Sequence, residues 1–259
     1  MIRSFRFIRF LIIMLAYSAD IMWRGRKMGH AERMAFAAQR QRDAGVSMCR
    51  SLRITTEVVG HYSSEKPSLI VPNHIGTLDP WILAGRFNTA FVAKSELGGW
   101  PVFGWVCKAV GIIFAHRKNV MRTNQTVDEI RARMRSGVAV LIFPEGTTSD
   151  GKELLPFKTG GFESVANMDD GFVVPVYFHV RTIDGKPVTE LSRVEVTWSS
   201  PQKMTANLWK ALGLGRLHFV VRIGKPIPAK NQNRKELARS AKDAMQQLKQ
   251  EEEDELLKL

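Results

Sequence analysis

The chain has 259 residues, of which 44% are hydrophobic, enough apolar material for one large α/β core or two small ones. Its 38 lysines and arginines outnumber 25 acidic residues, a formal charge of +13; such a surface attracts polyanions but does not choose among nucleic acid, anionic lipid and acidic carrier proteins. Cys49 and Cys107 are the only cysteines, which excludes a disulfide framework or a cysteine-rich metal site and fits a reducing, cytoplasmic setting.

At the N-terminus, the apolar run is followed by Asp20, Arg24, Arg26 and Lys27 rather than by a small-residue cleavage site, so it does not read as a signal peptide. On a helical wheel, Arg3, Arg6, Arg9, Asp20, Arg24 and Lys27 share one polar sector, opposite Phe5, Phe7, Ile8, Leu11, Ile12, Leu15, Met22 and Trp23. The uninterrupted apolar stretch runs only from Phe10 to Ala19, whereas a bilayer span needs about 20 residues. The expectation is an amphipathic helix lying in the membrane interface, with a short, tilted span in which Arg9 snorkels and a helix packed on the protein's own core as the alternatives. Residues 1–50 hold ten basic and three acidic residues, a local +7 that suits an anionic leaflet.

A second helix is expected over 31–49, after which the pattern turns to short apolar strands. The predicted strands are Ile54–Val59, Ser68–Pro72, Thr89–Lys94, Ile112–Ala115, Ala139–Phe143, Phe172–Phe178, Val194–Trp198 and Phe219–Ile223. Helices are predicted over Pro80–Phe87, Trp100–Val110, Arg122–Arg135 and Gly160–Asn167. This alternation predicts an α/β fold, a mixed sheet flanked by helices. With no internal repeat or linker, a single catalytic domain over 50–230 is expected, preceded by a membrane-associated helical segment (1–49). The remainder, 231–259, reads as a polar helix ending in a solvated acidic tail, Glu251–Glu255, with no assigned chemistry.

The first chemical constellation is Asn73-His74-Ile75-Gly76-Thr77-Leu78-Asp79-Pro80, where a strand gives way to a helix. His74 falls in the loop, and Asp79 at the helix start, where the helix dipole and Pro80 suit a carboxylate. Five residues across a turn bring the carboxylate to one imidazole nitrogen, fixing the tautomer and leaving the other nitrogen as a base.

Asn-His-x4-Asp resembles the first signature block of the glycerophospholipid acyltransferases of the lysophosphatidic acid acyltransferase type. Gly111-Ile112-Ile113-Phe114-Ala115-His116-Arg117 is similar to the second block, Phe143-Pro144-Glu145-Gly146-Thr147-Thr148-Ser149 to the third, and Val174-Pro175-Val176 to the fourth. Between the first two, Lys94-Ser95-Glu96-Leu97 followed by Pro101 and Gly104 resembles a further family stretch. The resemblance covers about residues 50–225. It implies acyl transfer from acyl-CoA or acyl carrier protein to the free hydroxyl of a lysophospholipid, with 1-acylglycerol-3-phosphate as the leading acceptor and phosphatidic acid as the product. Such an enzyme works at the cytoplasmic face of the inner or plasma membrane, without metal or resident cofactor.

An acyl thioester is already activated, so the enzyme must deprotonate an alcohol and stabilise a tetrahedral oxyanion. His74 and Asp79 are assigned to the first task. The resemblance assigns phosphate binding to Arg117, Glu145, Gly146 and Thr147; the hydroxyls of Thr148 and Ser149 complete the expected anion cradle, and Lys94 adds a positive charge. Because Glu145 would repel a phosphate, its expected role is to order the loop or hold a glycerol hydroxyl. Neither cysteine lies in a signature block or beside an identifiable base, which speaks against a thiol nucleophile.

One departure shapes the acceptor. Many family members carry arginine where this chain has Thr148, and the wording Gly146–Gly151 followed by Leu155-Pro156-Phe157-Lys158 is similar to branches that acylate lyso-ornithine lipid, the alternative acceptor. The reading from another class is a basic membrane- or nucleic-acid-binding protein without catalysis. Against a nucleic-acid partner, the chain lacks aromatics clustered among basic residues and any recognised nucleic-acid motif.

Overall fold

The computed structural model describes residues 1–63, 66–116, 120–198 and 203–258. Two long helices come first, α1 (Ile2–Gly25) and α2 (His30–Leu52), followed by strands β1 (Ile54–Val59) and β2 (Ser68–Pro72). The middle of the chain alternates α3 (Asp79–Ala84), β3 (Thr89–Lys94), α4 (Phe103–Ala109), β4 (Ile113–Ala115), α5 (Val120–Arg135) and β5 (Ala139–Leu141). It closes with β6 (Phe172–Ile183), β7 (Lys186–Pro187), α6 (Glu190–Val196), α7 (Met204–Ala211), β8 (Leu217–Ile223), β9 (Ile227–Pro228) and α8 (Arg234–Leu256).

The sheet is mixed, as the alternation predicts, with order β1-β8-β6-β2-β5-β3-β4. From β6 to β4 the neighbours are parallel, while β8 runs antiparallel to β6 and parallel to β1. Because β2, β5, β3 and β4 are parallel, their carboxyl ends emerge on one edge, delivering Asn73-His74, Phe143, Lys94 and His116 to the same side. Open α/β sheets bind their ligands along that edge. All five residues of β2 are buried, as a central strand covered on both faces requires.

Two predicted elements differ in kind. Val194–Trp198 lies in α6 and its C-cap rather than in a strand, because Thr189 and Ser192 form a capping box that starts a helix; the β-branched residues Val194, Val196 and Thr197 had argued otherwise. Gly160–Asn167 forms a short 3₁₀ turn at Thr159–Ser164 instead of an α-helix, consistent with the cost of paired glycines in a helix.

Helix α1 has two apolar faces rather than one apolar and one polar. Phe10, Met14 and Ile21 are buried, the first two in the cluster that holds Ile70, Leu83 and Phe178. Ile2, Phe5, Ile8, Ile12, Leu15, Met22 and Trp23 are exposed along the opposite side. Arg6 departs from its predicted polar sector: it points inward and donates from Nη1 to the carbonyls of Leu212 and Leu214. No helix among the described residues is long and apolar enough to cross a membrane.

The C-terminal segment is a helix as predicted, but not a solvated tail. Leu237, Ala241, Met245 and Leu248 are buried in α8, and Glu252 is 1% exposed. Its carboxylate accepts from Arg181 (Nε, 3.0 Å) and Arg222 (Nε, 2.7 Å) on the neighbouring strands β6 and β8, and Glu255 joins both arginines. Two arginines and a buried acid at helical spacing from Leu248 compensate each other's desolvation, which composition alone disguises as a solvated acidic run.

Candidate active site

The site begins where β2 ends. Asn73, 2% exposed, turns its side-chain amide toward β6: Nδ2 donates to the Phe178 carbonyl (3.0 Å) and Oδ1 accepts from the Phe178 amide (2.7 Å). The side chain thereby replaces the next backbone pairing of the parallel ladder, so the chain leaves the sheet without orphaned polar groups. This fixes the residue that follows, His74.

His74 and Asp79 meet as the spacing predicts, Nδ1 to Oδ2 at 2.7 Å. The same carboxylate oxygen accepts from the backbone amides of Ile75 (2.6 Å) and Gly76 (2.8 Å). Asp79 opens α3 with Pro80 beside it; at six residues the helix contributes little dipole, and the three converging donors do most of the anchoring. A carboxylate only accepts, so in the neutral imidazole the proton lies on Nδ1 and the lone pair on Nε2. Among the described residues Nε2 has no partner, and the side chain is 18% exposed. The imidazole is also stacked on Phe143, with ring centroids 3.9 Å apart and planes at 18°.

The third block wraps the same histidine. Glu145, 2% exposed, accepts from the His74 amide through Oε1 (3.1 Å) and from the Leu155 amide through Oε2 (3.2 Å). Burial pushes its carboxyl up to about 7, against the pull of the His74 and Leu155 amides and with Asp79 adding repulsion. Each oxygen thus braces one backbone amide, the arrangement that the expected loop-ordering role requires. The turn depends on Gly146, whose φ of +73° is a left-handed conformation that suits glycine. Ser149 returns a bond from its amide to the His74 carbonyl (2.9 Å), while its own hydroxyl is buried and accepts from the Gly151 amide (3.2 Å). Thr147 is exposed and Thr148 half-buried in this loop.

The remaining expected anion ligands are less gathered. Lys94 is exposed at the end of β3, two strands from β2, roughly 10 Å along the sheet. Arg117 lies outside the described residues. Cys49 and Cys107 are both buried, and burial pushes each thiol up to about 11, which removes them as nucleophiles at neutral pH.

The motif reading found His74, Asp79 and the Phe143–Ser149 block, and the fold brings these together. It assigned no task to Asn73 and none to Phe143 beyond its place in the third block. It passed over Asn207 on α7, fully buried, whose Oδ1 accepts from the Thr77 hydroxyl (2.7 Å). An asparagine inside an amphipathic helix was the one available signal.

The family model for acyltransferases matches residues 53–179. The chain is 30% identical over 198 residues to the lyso-ornithine lipid O-acyltransferase of Rhizobium meliloti (strain 1021), covering 74% of this chain and 68% of that protein. It is 32% identical over 199 residues to the enzyme of the same name from Brucella abortus (strain 2308), covering 74% of each. The crystal structure of the 1-acyl-sn-glycerophosphate (LPA) acyltransferase from Thermotoga maritima shares the fold, with a TM-score of 0.62 over 94% of this chain and 98% of that one, at 18% identity. The chain belongs to the glycerophospholipid acyltransferase family and is an acyltransferase.

Proposed function

We propose that His74 is the general base of this enzyme, which acylates a lysolipid, and that Asp79 holds it in the working tautomer. The observation that carries this reading is the pairing of a tethered Nδ1 with an unpartnered, partly exposed Nε2. As the acceptor hydroxyl attacks the thioester carbonyl, Nε2 takes its proton; collapse of the tetrahedral adduct breaks the carbon–sulfur bond, and the thiolate leaves with that proton or one from solvent. Asp79 favours the imidazolium that forms in between. Acyl-CoA or acyl carrier protein supplies the thioester, and because the acyl group arrives activated, the reading calls for no metal or resident cofactor.

The preferred acceptor in this reading is lyso-ornithine lipid. Two relatives at least 30% identical and matched over two thirds or more of their length carry that activity in their names, and Thr148 stands where a phosphate-binding arginine is common. A zwitterionic headgroup needs less positive charge than a phosphate monoester. Lysophosphatidic acid is the second reading, supported by Lys94 at the same sheet edge and by the basic surface.

The exposed apolar row of α1, flanked by basic residues, supports attachment to the interface of an anionic, cytoplasm-facing membrane. The deciding experiment incubates purified enzyme with palmitoyl thioester and each acceptor in turn. Wild type should acylate lyso-ornithine lipid faster, and His74→Ala should abolish turnover of both while the circular dichroism spectrum is unchanged. Retained turnover in that variant removes His74 as the base; faster acylation of lysophosphatidic acid reverses the order of acceptors.

A further inference from the structure

The loop from His74 to Asp79 is held on its inner side by the sheet and by Glu145, yet its outer side is also bracketed, by α6 with Thr197 and Trp198 after it, and by α7. The Trp198 amide donates to the Ile75 carbonyl at 2.7 Å. A Cβ on Gly76 would stand 2.9 Å from the Val196 carbonyl, so this wall presses directly on the loop and only glycine fits beneath it. Asn207 supplies the side-chain link. Its Oδ1 accepts from the hydroxyl (2.7 Å) and, more weakly, from the amide (3.4 Å) of Thr77, and its Nδ2 donates to the Thr197 carbonyl (3.0 Å). At 0% exposure, Asn207 makes these bonds without competing water.

We propose that Asn207 is a positioning residue for the acyl transfer: it clamps Thr77 so that the Ile75 and Gly76 amides converge on Asp79, and through Asp79 it aims the imidazole of His74. The inference rests on His74 being the base. The geometry explains why the clamp reaches that far. Asp79 Oδ2 is held by the amides of Ile75 and Gly76, two and one residues before Thr77, and by the His74 ring. A shift of Thr77 therefore moves two of the three donors that fix the carboxylate. Helix α6 extends the bracket to the Glu145-containing loop, where Arg193 Nη1 donates to the Gly151 carbonyl (3.3 Å). Residues between Arg193 and Asn207, beyond the last signature block, thus complete the support of a loop set by the chain's first third.

The test uses purified full-length enzyme, palmitoyl-CoA and whichever lysolipid wild type turns over faster. Thr77→Val removes the hydroxyl while keeping the shape, and Thr77→Ser keeps the hydroxyl. Thr77→Val should lower kcat on the order of tenfold with both KM values held within about twofold, since small misplacements of a catalytic group act on the chemical step. Thr77→Ser should restore kcat, and thermal midpoints of the two variants should agree. Asn207→Ala should show the same kcat loss, and adding Thr77→Val to it should cost little more, because both cut one link. In a His74→Ala background, Thr77→Val should cause no further loss. Wild-type kcat in Thr77→Val, equal losses in Thr77→Val and Thr77→Ser, or a rise in KM alone would overturn the clamp. An inactive His74→Ala enzyme beside a fully active Thr77→Val enzyme removes this inference and spares the base; an active His74→Ala enzyme removes both.

Discussion

Phe143 lies nearly flat against His74, with 3.9 Å between ring centroids and 18° between planes, so the third signature block sets the tilt of the imidazole while Asp79 sets its rotation. Phe143→Ala should therefore lower kcat by about tenfold with less effect on KM, and Phe143→Tyr should retain most activity. Steady-state kinetics on both variants decide this; an unchanged kcat in Phe143→Ala would show that Asp79 alone orients the ring.

Asp79→Asn is expected to be the more severe change. An amide is neutral and carries a donor where the carboxylate has only acceptors. It no longer stabilises the imidazolium, and where its nitrogen faces Nδ1 the tautomer reverses, so kcat should fall by about 10²-fold to 10⁴-fold. Urea denaturation should register a smaller loss of stability. Wild-type turnover in Asp79→Asn would leave His74 acting without a partner.

Two buried groups shape the dependence of stability on pH. Glu145 is pushed up to about 7 from an ordinary 4.5, chiefly by burial, so the folded state binds the extra proton and this contribution is lost as pH rises through about 7. His179 is pushed down to about 4 from 6.5 by burial, with Arg193 and Arg181 adding repulsion; its contribution is lost as pH falls from 6.5 toward 4. Each is worth up to about 3 kcal/mol at full titration. Glu145→Gln should flatten the alkaline flank of a pH–stability curve between about pH 5 and 8, and His179→Gln the acid flank. A curve unaltered by either substitution would contradict the assignment.

Glu252→Ala leaves Arg181 and Arg222, with side chains 12% and 6% exposed, without their shared carboxylate. The expected loss is about 3 kcal/mol, read from the midpoint of urea unfolding at constant slope. A change under about 0.5 kcal/mol would mean that Glu57 and Glu255 suffice.

Membrane attachment is best probed by single substitutions, because deleting residues 1–30 would also strip Phe10, Met14 and Ile21 from the interior. Phe5→Glu and Ile12→Glu alter only the exposed row, and each should weaken binding to anionic vesicles by about tenfold. Undiminished cosedimentation of both variants would refute the attachment face.

The site was legible in proportion to how local its contacts are. His74 and Asp79 are five residues apart across one turn, and their meeting follows from spacing and a strand-to-helix junction. Glu145 was visible as part of a block, but its use as a brace depends on a buried approach between two loops, which no spacing encodes. Asn207 lies 130 residues from Thr77, and nothing in either segment names the other. Among the elements, the parallel strands were readable as apolar runs, whereas α6 was masked by its β-branched residues and declared only by its cap. The buried face of α8 was masked in the same way by the acids around Glu252.

The register of β1 against β8 joins Ile54–Val59 to Leu217–Arg222 and to nothing else along the sheet path. A chain emerging from the ribosome at roughly 5–20 residues per second must therefore carry β1 as an open, hydrogen-bond-hungry ribbon for roughly ten to thirty seconds before its mate is made. Nascent molecules arrested between those two points should be vulnerable to cleavage near Val59 and resistant once Ile223 has cleared the exit tunnel, a difference that pulse-chase proteolysis can time.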